Sequence, residues 1–145
     1  MKINQGDIIK EIAEELDCGN NCYYNSKTNE IVTIPNFSDT SDEQELKEFF
    51  RDDLNKINNQ KANYIKVEVL KSFESFKIME HFSNQIIDKK FKLILKDILE
   101  NKKPFQNFKN AVDNSEFRQE WFDFKHNEIE KIVEVQLKGK LTNDY

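Results

Sequence analysis

Apolar residues recur along this chain with two different periods. Ile8, Ile9, Ile12, Ala13 and Leu16 follow helical spacing and predict an amphipathic helix over about 4–17. Asn4 is placed to cap it, Asp7 sits near the positive end of its dipole, Ile3 can staple onto Ile8, and Gly19 supplies the stop. The period then changes to two. The β-prone runs Cys22-Tyr23-Tyr24 and Ile31-Val32-Thr33-Ile34 flank a polar segment able to turn at Asn25 and Asn29, which predicts a hairpin ended by Pro35. After a polar, acidic connector, Ser41 and Gln44 match a capping box, and Leu46, Phe49, Phe50, Leu54 and Ile57 stripe a second helix over about 42–57. Tyr64 to Leu70 alternates residue by residue, with Ile65, Val67 and Val69 on one face and Lys66 and Glu68 on the other. It is the clearest strand and is expected to pair with the hairpin.

From Ser72 onward the helical period runs to about 138. Phe73, Phe76, Met79, Phe82 and Ile86 stripe a third helix; Asp88 caps a fourth whose face is Phe91, Ile94, Leu95, Ile98 and Leu99. Pro104 suits the first position of a short fifth helix with Phe105, Phe108, Ala111 and Val112 inward. The last helix is expected to start at Asn114 or Ser115, to carry Phe117, Trp121, Phe122, Ile129, Ile132, Val133 and Leu137 as its stripe, and to stop at Gly139. The fold expected is α+β and mostly helical, with about six helices and a small antiparallel sheet of about three strands. A single domain is expected over 1–145, with the strands within about 22–70 and the helical half over about 72–138.

Composition sharpens this picture in two places. Only 37% of the residues are hydrophobic, yet twelve Phe, four Tyr and one Trp are present, so an aromatic-rich core is expected. Apolar runs are only a few residues long, far short of the roughly 20 needed to cross a bilayer. Residues 1–7 hold no apolar stretch with a small-residue cleavage site, and a cytoplasmic protein without membrane partner is the expectation. Cys18 and Cys22 stand four apart with no histidine near them, too few ligands for a zinc site, and read as free thiols.

The net charge of −5 conceals an asymmetry: residues 1–60 sum to −7, residues 61–110 to +5 and residues 111–145 to −3. Within the basic middle, Lys89, Lys90, Lys92, Lys96, Lys102, Lys103 and Lys109 are interleaved with Phe91, Phe105 and Phe108. Cations for phosphates and rings for bases are the ingredients of a nucleic-acid surface. Against that, the rings stand at core spacing, only Arg51 and Arg118 represent arginine, and seventeen asparagines point to an A/T-rich coding bias that inflates lysine. The same lysines suit a solvated face or an acidic protein partner better than nucleic acid. On the last helix, Phe124 lies about 200° around from Phe122 at 100° per residue, and with Lys125 it is a second candidate contact.

Catalytic chemistry finds little to stand on. His81 and His126 are far apart, no Gly-x-Ser-x-Gly elbow or phosphate-binding glycine loop exists, and the glycines are Gly6, Gly19 and Gly139 alone. Adjacent acids such as Glu14-Glu15 and Asp52-Asp53 diverge by about 100° on a helix and do not converge on one ion. No catalytic, cofactor or metal residue is assigned.

The phrases Met79-Glu80-His81-Phe82, Phe105-Gln106-Asn107-Phe108-Lys109 and Trp121-Phe122-Asp123-Phe124, together with the hairpin Tyr23 to Val32, give the chain a recognisable order of motifs. It resembles the bacterial group known only as uncharacterised protein family 0158, in which a Met-Glu-x-Phe helix precedes Phe-x-x-Phe-Lys and then Trp-x-x-Phe. The likeness spans all but residues about 36–60. Members usually carry glycine and a basic residue where this chain has Lys102-Lys103-Pro104, and glycine in the hairpin where it has Asn29. The resemblance implies no activity. The function expected is a non-enzymatic interaction or regulatory module that binds another protein; a nucleic-acid-binding factor using segment 89–109 is the alternative.

Overall fold

Residues 5–36 and 43–142 are described by the computed structural model, so the expectations for Ile3, Asn4 and Ser41 lie outside the described residues. Among the described residues are seven α-helices and one three-stranded antiparallel sheet, an α+β fold that is mostly helical. They group into two compact units, Met1–Val69 with Ile129–Tyr145, and Leu70–Glu128.

In the first unit, helix α1 (Gln5–Asp17) buries Ile8, Ile12, Ala13 and Leu16, the stripe read from the sequence. The hairpin follows as β1 (Asn20–Asn25) and β2 (Ile31–Pro35). Its turn is held by Asn25, whose side-chain Oδ1 accepts from the amides of Lys27 (2.9 Å) and Thr28 (3.2 Å), while the Tyr24 hydroxyl donates to Asn29 Oδ1 at 2.6 Å. Asn29 takes φ of +64°, a left-handed conformation that Asn tolerates better than most residues. The third strand, β3 (Tyr64–Val67), pairs with the other side of β1, so β1 is central. The strand expected to reach Leu70 stops at Val67 because the next available amide, Val69 N–H, donates to the side chain of Asn21 (2.9 Å) instead of to a backbone carbonyl.

Both faces of this sheet are covered. The register sets Tyr23 opposite Val32 and places Cys22 and Tyr24 on the other face, beside Val67 and Ile65. On the Tyr23 side, Val32, Ile34 and Tyr64 meet Leu54 and Ile57 of α3 (Arg51–Asn59). On the other side α1 packs against β1, and the Cys22 thiol donates to the Ile12 carbonyl at 3.9 Å. Burial, reinforced by Glu15 and Glu11, pushes the Cys22 thiol up to about 12.

The helix expected over about 42–57 is two helices. A short α2 (Glu43–Phe49), without a buried residue, ends before Phe50, and α3 begins after it. Leu46, Phe50, Leu54 and Ile57 keep a face at i, i+4, i+8 and i+11 and are at least partly buried, whereas Phe49 falls off it and is exposed.

The second unit is helical: α4 (Ser72–Gln85), α5 (Lys89–Leu99), α6 (Pro104–Asp113) and the first part of α7 (Arg118–Thr142). Its centre is Phe82, fully buried, with edge-on contacts to Phe108 (6.4 Å) and Trp121 (5.2 Å) and a tilted contact to Phe124 (5.4 Å). Met79, Ile86, Leu95 and Val112 complete the buried set. Burying a ring of this size stabilises by roughly 1.5–3 kcal/mol, and the edge-to-face geometry adds about 0.5–1.5 kcal/mol per pair.

The termini of these helices follow local chemistry. Asp88 caps α5, its Oδ1 accepting from Phe91 N–H at 2.8 Å, and Pro104 occupies the first turn of α6. The last helix begins at Arg118 instead of Asn114 or Ser115, because Ser115 Oγ donates to the Val112 carbonyl (2.7 Å) and accepts from Phe117 N–H (3.1 Å), which ends α6 and shapes the connection. Gly139 does not end α7, which runs on to Thr142. Beyond the second unit, α7 buries Ile129, Val133 and Leu137 along one stripe and donates from Lys140 Nζ to the Lys66 carbonyl at the outer edge of β3.

Candidate functional site

Helix α5 has the composition that makes a surface stand out: six apolar residues in eleven, too many for one face. Phe91, Leu95, Ile98 and Leu99 turn inward, with Phe91 stacked on Phe117 at 4.8 Å. Leu93, by contrast, is 70% exposed, and Ile94 is exposed beside it. At 100° per residue, Lys89, Leu93 and Lys96 fall at i, i+4 and i+7 on one outward ridge, with Lys92 along its flank. Ile87, at the corner before the helix, is 94% exposed. Leu93 therefore stands among cations, with Ile94 on its flank.

The seven lysines of this segment are accessible. Lys89, Lys90, Lys96, Lys102, Lys103 and Lys109 are exposed and Lys92 is half-buried. Among the described residues none of them is held in an ion pair. Between residues 88 and 109 only Asp88, Asp97 and Glu100 oppose them, for a net charge of +4. Lys89 and Lys90 also occupy the first turn of α5, where no acidic side chain stands and the helix dipole disfavours cations.

A second irregularity lies between α5 and α6. Lys103 takes φ of +53°, left-handed and ahead of Pro104, with the Asn107 side chain donating to the Lys102 carbonyl at 3.1 Å. Positions 29 and 103 are the non-glycine residues with positive φ among the described residues.

The aromatic part of the candidate surface divides differently from expectation. Phe108 is fully buried and Phe91 lies in the core, so two of the three rings interleaved with the lysines are not surface groups. Phe105 stays exposed but leans edge-on against Phe76 at 6.4 Å. On α7, Phe124 is half-buried against Phe82, and the outward ring is Phe122, 50% exposed and stacked on His126 at 4.2 Å. Trp121 and Phe124 are i and i+3, which share a face; Phe122, about 100° around from Trp121 and about 160° from Phe124, falls off it. Lys125 is drawn over the Trp121 ring, 5.8 Å from its centroid.

Ile94, expected on the inward face with Phe91 and Leu95, is exposed instead, and the exposure of Ile87 and Leu93 carries no expectation from the sequence, although one signal exists. Three consecutive apolar residues, Leu93-Ile94-Leu95, sweep about 200° of a helix and cannot all face one core. Elsewhere, His81 lies exposed on α4, on a different helix from His126. Among the described residues no group of three or more His, Cys, Asp or Glu is arranged to hold a metal ion, and no helix is long and apolar enough to cross a membrane.

Compared with known proteins, the sequence matches the family described as Uncharacterised protein family (UPF0158) over residues 1–140. No curated protein and no solved structure matches it.

Proposed function

We propose that this chain, which belongs to Uncharacterised protein family (UPF0158), is a non-enzymatic interaction module whose lysine-bearing segment, centred on the outward ridge of α5, docks an acidic protein partner. The observation that carries the proposal is the exposure of Leu93 on a ridge between Lys89 and Lys96. An aliphatic anchor inside a charged rim is how a protein interface divides its labour: the anchor supplies affinity and the rim steers and selects. Nucleic acid would ask for rings to stack on bases, and of the three rings among the lysines Phe91 and Phe108 are packed inside while Phe105 leans edge-on against Phe76. The absence of an enzymatic role is supported by the scatter of ionisable groups, with His81 and His126 on separate helices.

The test is binding of poly-glutamate and of a single-stranded RNA homopolymer to the whole protein across a salt series, for wild type and for Lys89→Glu/Lys92→Glu/Lys96→Glu. Salt-sensitive binding of poly-glutamate that the charge reversal abolishes, with RNA unable to compete, is expected. Preferential binding of RNA through the same lysines, or equal behaviour of the two proteins, would overturn the proposal.

A further inference from the structure

We infer that the occupant of the α5 face is an acidic amphipathic helix of another protein, an inference that rests on the docking role proposed above and names the form of the partner. The backbone of α5 is spent on its own hydrogen bonds, so its outward face offers no ladder to an extended strand. What it offers is a ridge at i, i+4 and i+7, Lys89, Leu93 and Lys96, about 10 Å long at 1.5 Å per residue. Ridges of that kind fit the grooves of a second helix, which brings its own backbone groups already satisfied.

Charge decides the rest. A second copy laid α5 against α5 would set lysines upon lysines, which opposes docking. A partner helix with leucine-like residues on one stripe and glutamates beside it would cover Leu93 while pairing Lys89, Lys92 and Lys96. It would also bring negative charge to the first turn of α5, where Lys89 and Lys90 stand against the dipole. A local choice that works against the helix bearing it is expected where a surface serves a partner.

The probe is a labelled synthetic peptide of about five helical turns, or about 18 residues, alanine-based, with leucines at i and i+4 on one face and glutamates flanking them. Two control peptides accompany it: one of the same composition scrambles the leucines off the stripe, the other carries a central proline in place of alanine. Fluorescence anisotropy with the full chain is expected to show binding of the patterned peptide, weakened roughly tenfold or more by either control and by Leu93→Asn, as for loss of a central anchor. Circular dichroism and thermal melting of Leu93→Asn should match wild type, since the side chain is exposed. If patterned, scrambled and proline peptides bind alike and poly-glutamate still binds through the lysines, the helical partner is refuted while the acidic-partner role stands. Absence of binding by the patterned peptide, or binding unmoved by Leu93→Asn, also overturns the inference.

Discussion

The ring of Phe124 leans on that of Phe82 with centroids 5.4 Å apart and planes inclined at 57°. It is a core contact, although the sequence offers Phe124 as an outward ring. Phe124→Ala should lower the free energy of unfolding by about 3 kcal/mol, the low end for a truncated core phenylalanine, whereas Phe122→Ala should stay within about 0.5 kcal/mol of wild type. Urea titrations of the two variants make the comparison; equal effects would show that the two rings are packed alike.

Position by position, the face of α7 shows what periodicity can and cannot carry. Phe117, Trp121 and Phe124 are spaced four and three apart and all pack on the second unit's core, but Phe122 invites a wider stripe because it is equally apolar. The periods of α1, the hairpin, β3 and the caps Asp88 and Pro104 were legible because a single local pattern decides each of them. The end of β3 at Val67 was not, since it depends on the competing side chain of Asn21, and neither the break at Phe50 nor the passage of α7 through Gly139 is marked by a local pattern. The lysines of the candidate surface could be read directly; its exposed Leu93 could be recognised only once the width of the α5 stripe was known.

Charge reversal at the start of α5 should separate stability from binding. Lys89→Glu and Lys90→Glu each place an acid where the dipole favours one, and are expected to raise stability by about 0.3–1 kcal/mol at low ionic strength. Asp88→Ala should do the opposite, costing about 1 kcal/mol through loss of the cap to Phe91. Denaturant midpoints at low and high salt check this, because the gain from the two glutamates should shrink as salt rises.

The two cysteines should be told apart by reagent and by pH. Cys18 is exposed and Cys22 is buried, so an aromatic disulfide reagent is expected to modify Cys18 in the native protein and Cys22 only after unfolding. Because burial raises the Cys22 thiol from 9.0 to about 12, the unfolded chain releases its proton at lower pH than the folded one. The associated stability is fully present below about pH 9 and falls as pH climbs toward 12, by at most about 1.4 kcal/mol per pH unit. Cys22→Val should flatten that part of the pH profile measured by urea unfolding.

Gly139 lies inside α7, and a methyl group added there would meet no atom within 4 Å beyond its chain neighbours and its own helix backbone. Gly139→Ala is therefore expected to stabilise the helix by roughly 0.5–1 kcal/mol. A thermal melt should shift upward; a downward shift would mean that the chain needs glycine's freedom at this point.

Lys140 occupies the Lys66 carbonyl on the side of β3 that faces away from β1. A terminal strand with open carbonyls and amides is a template for unwanted pairing between molecules, and a positive side chain laid across it is one natural guard. A chain trimmed before residue 140 would lose that guard, so its solubility, more than its melting temperature, is what truncation puts at stake.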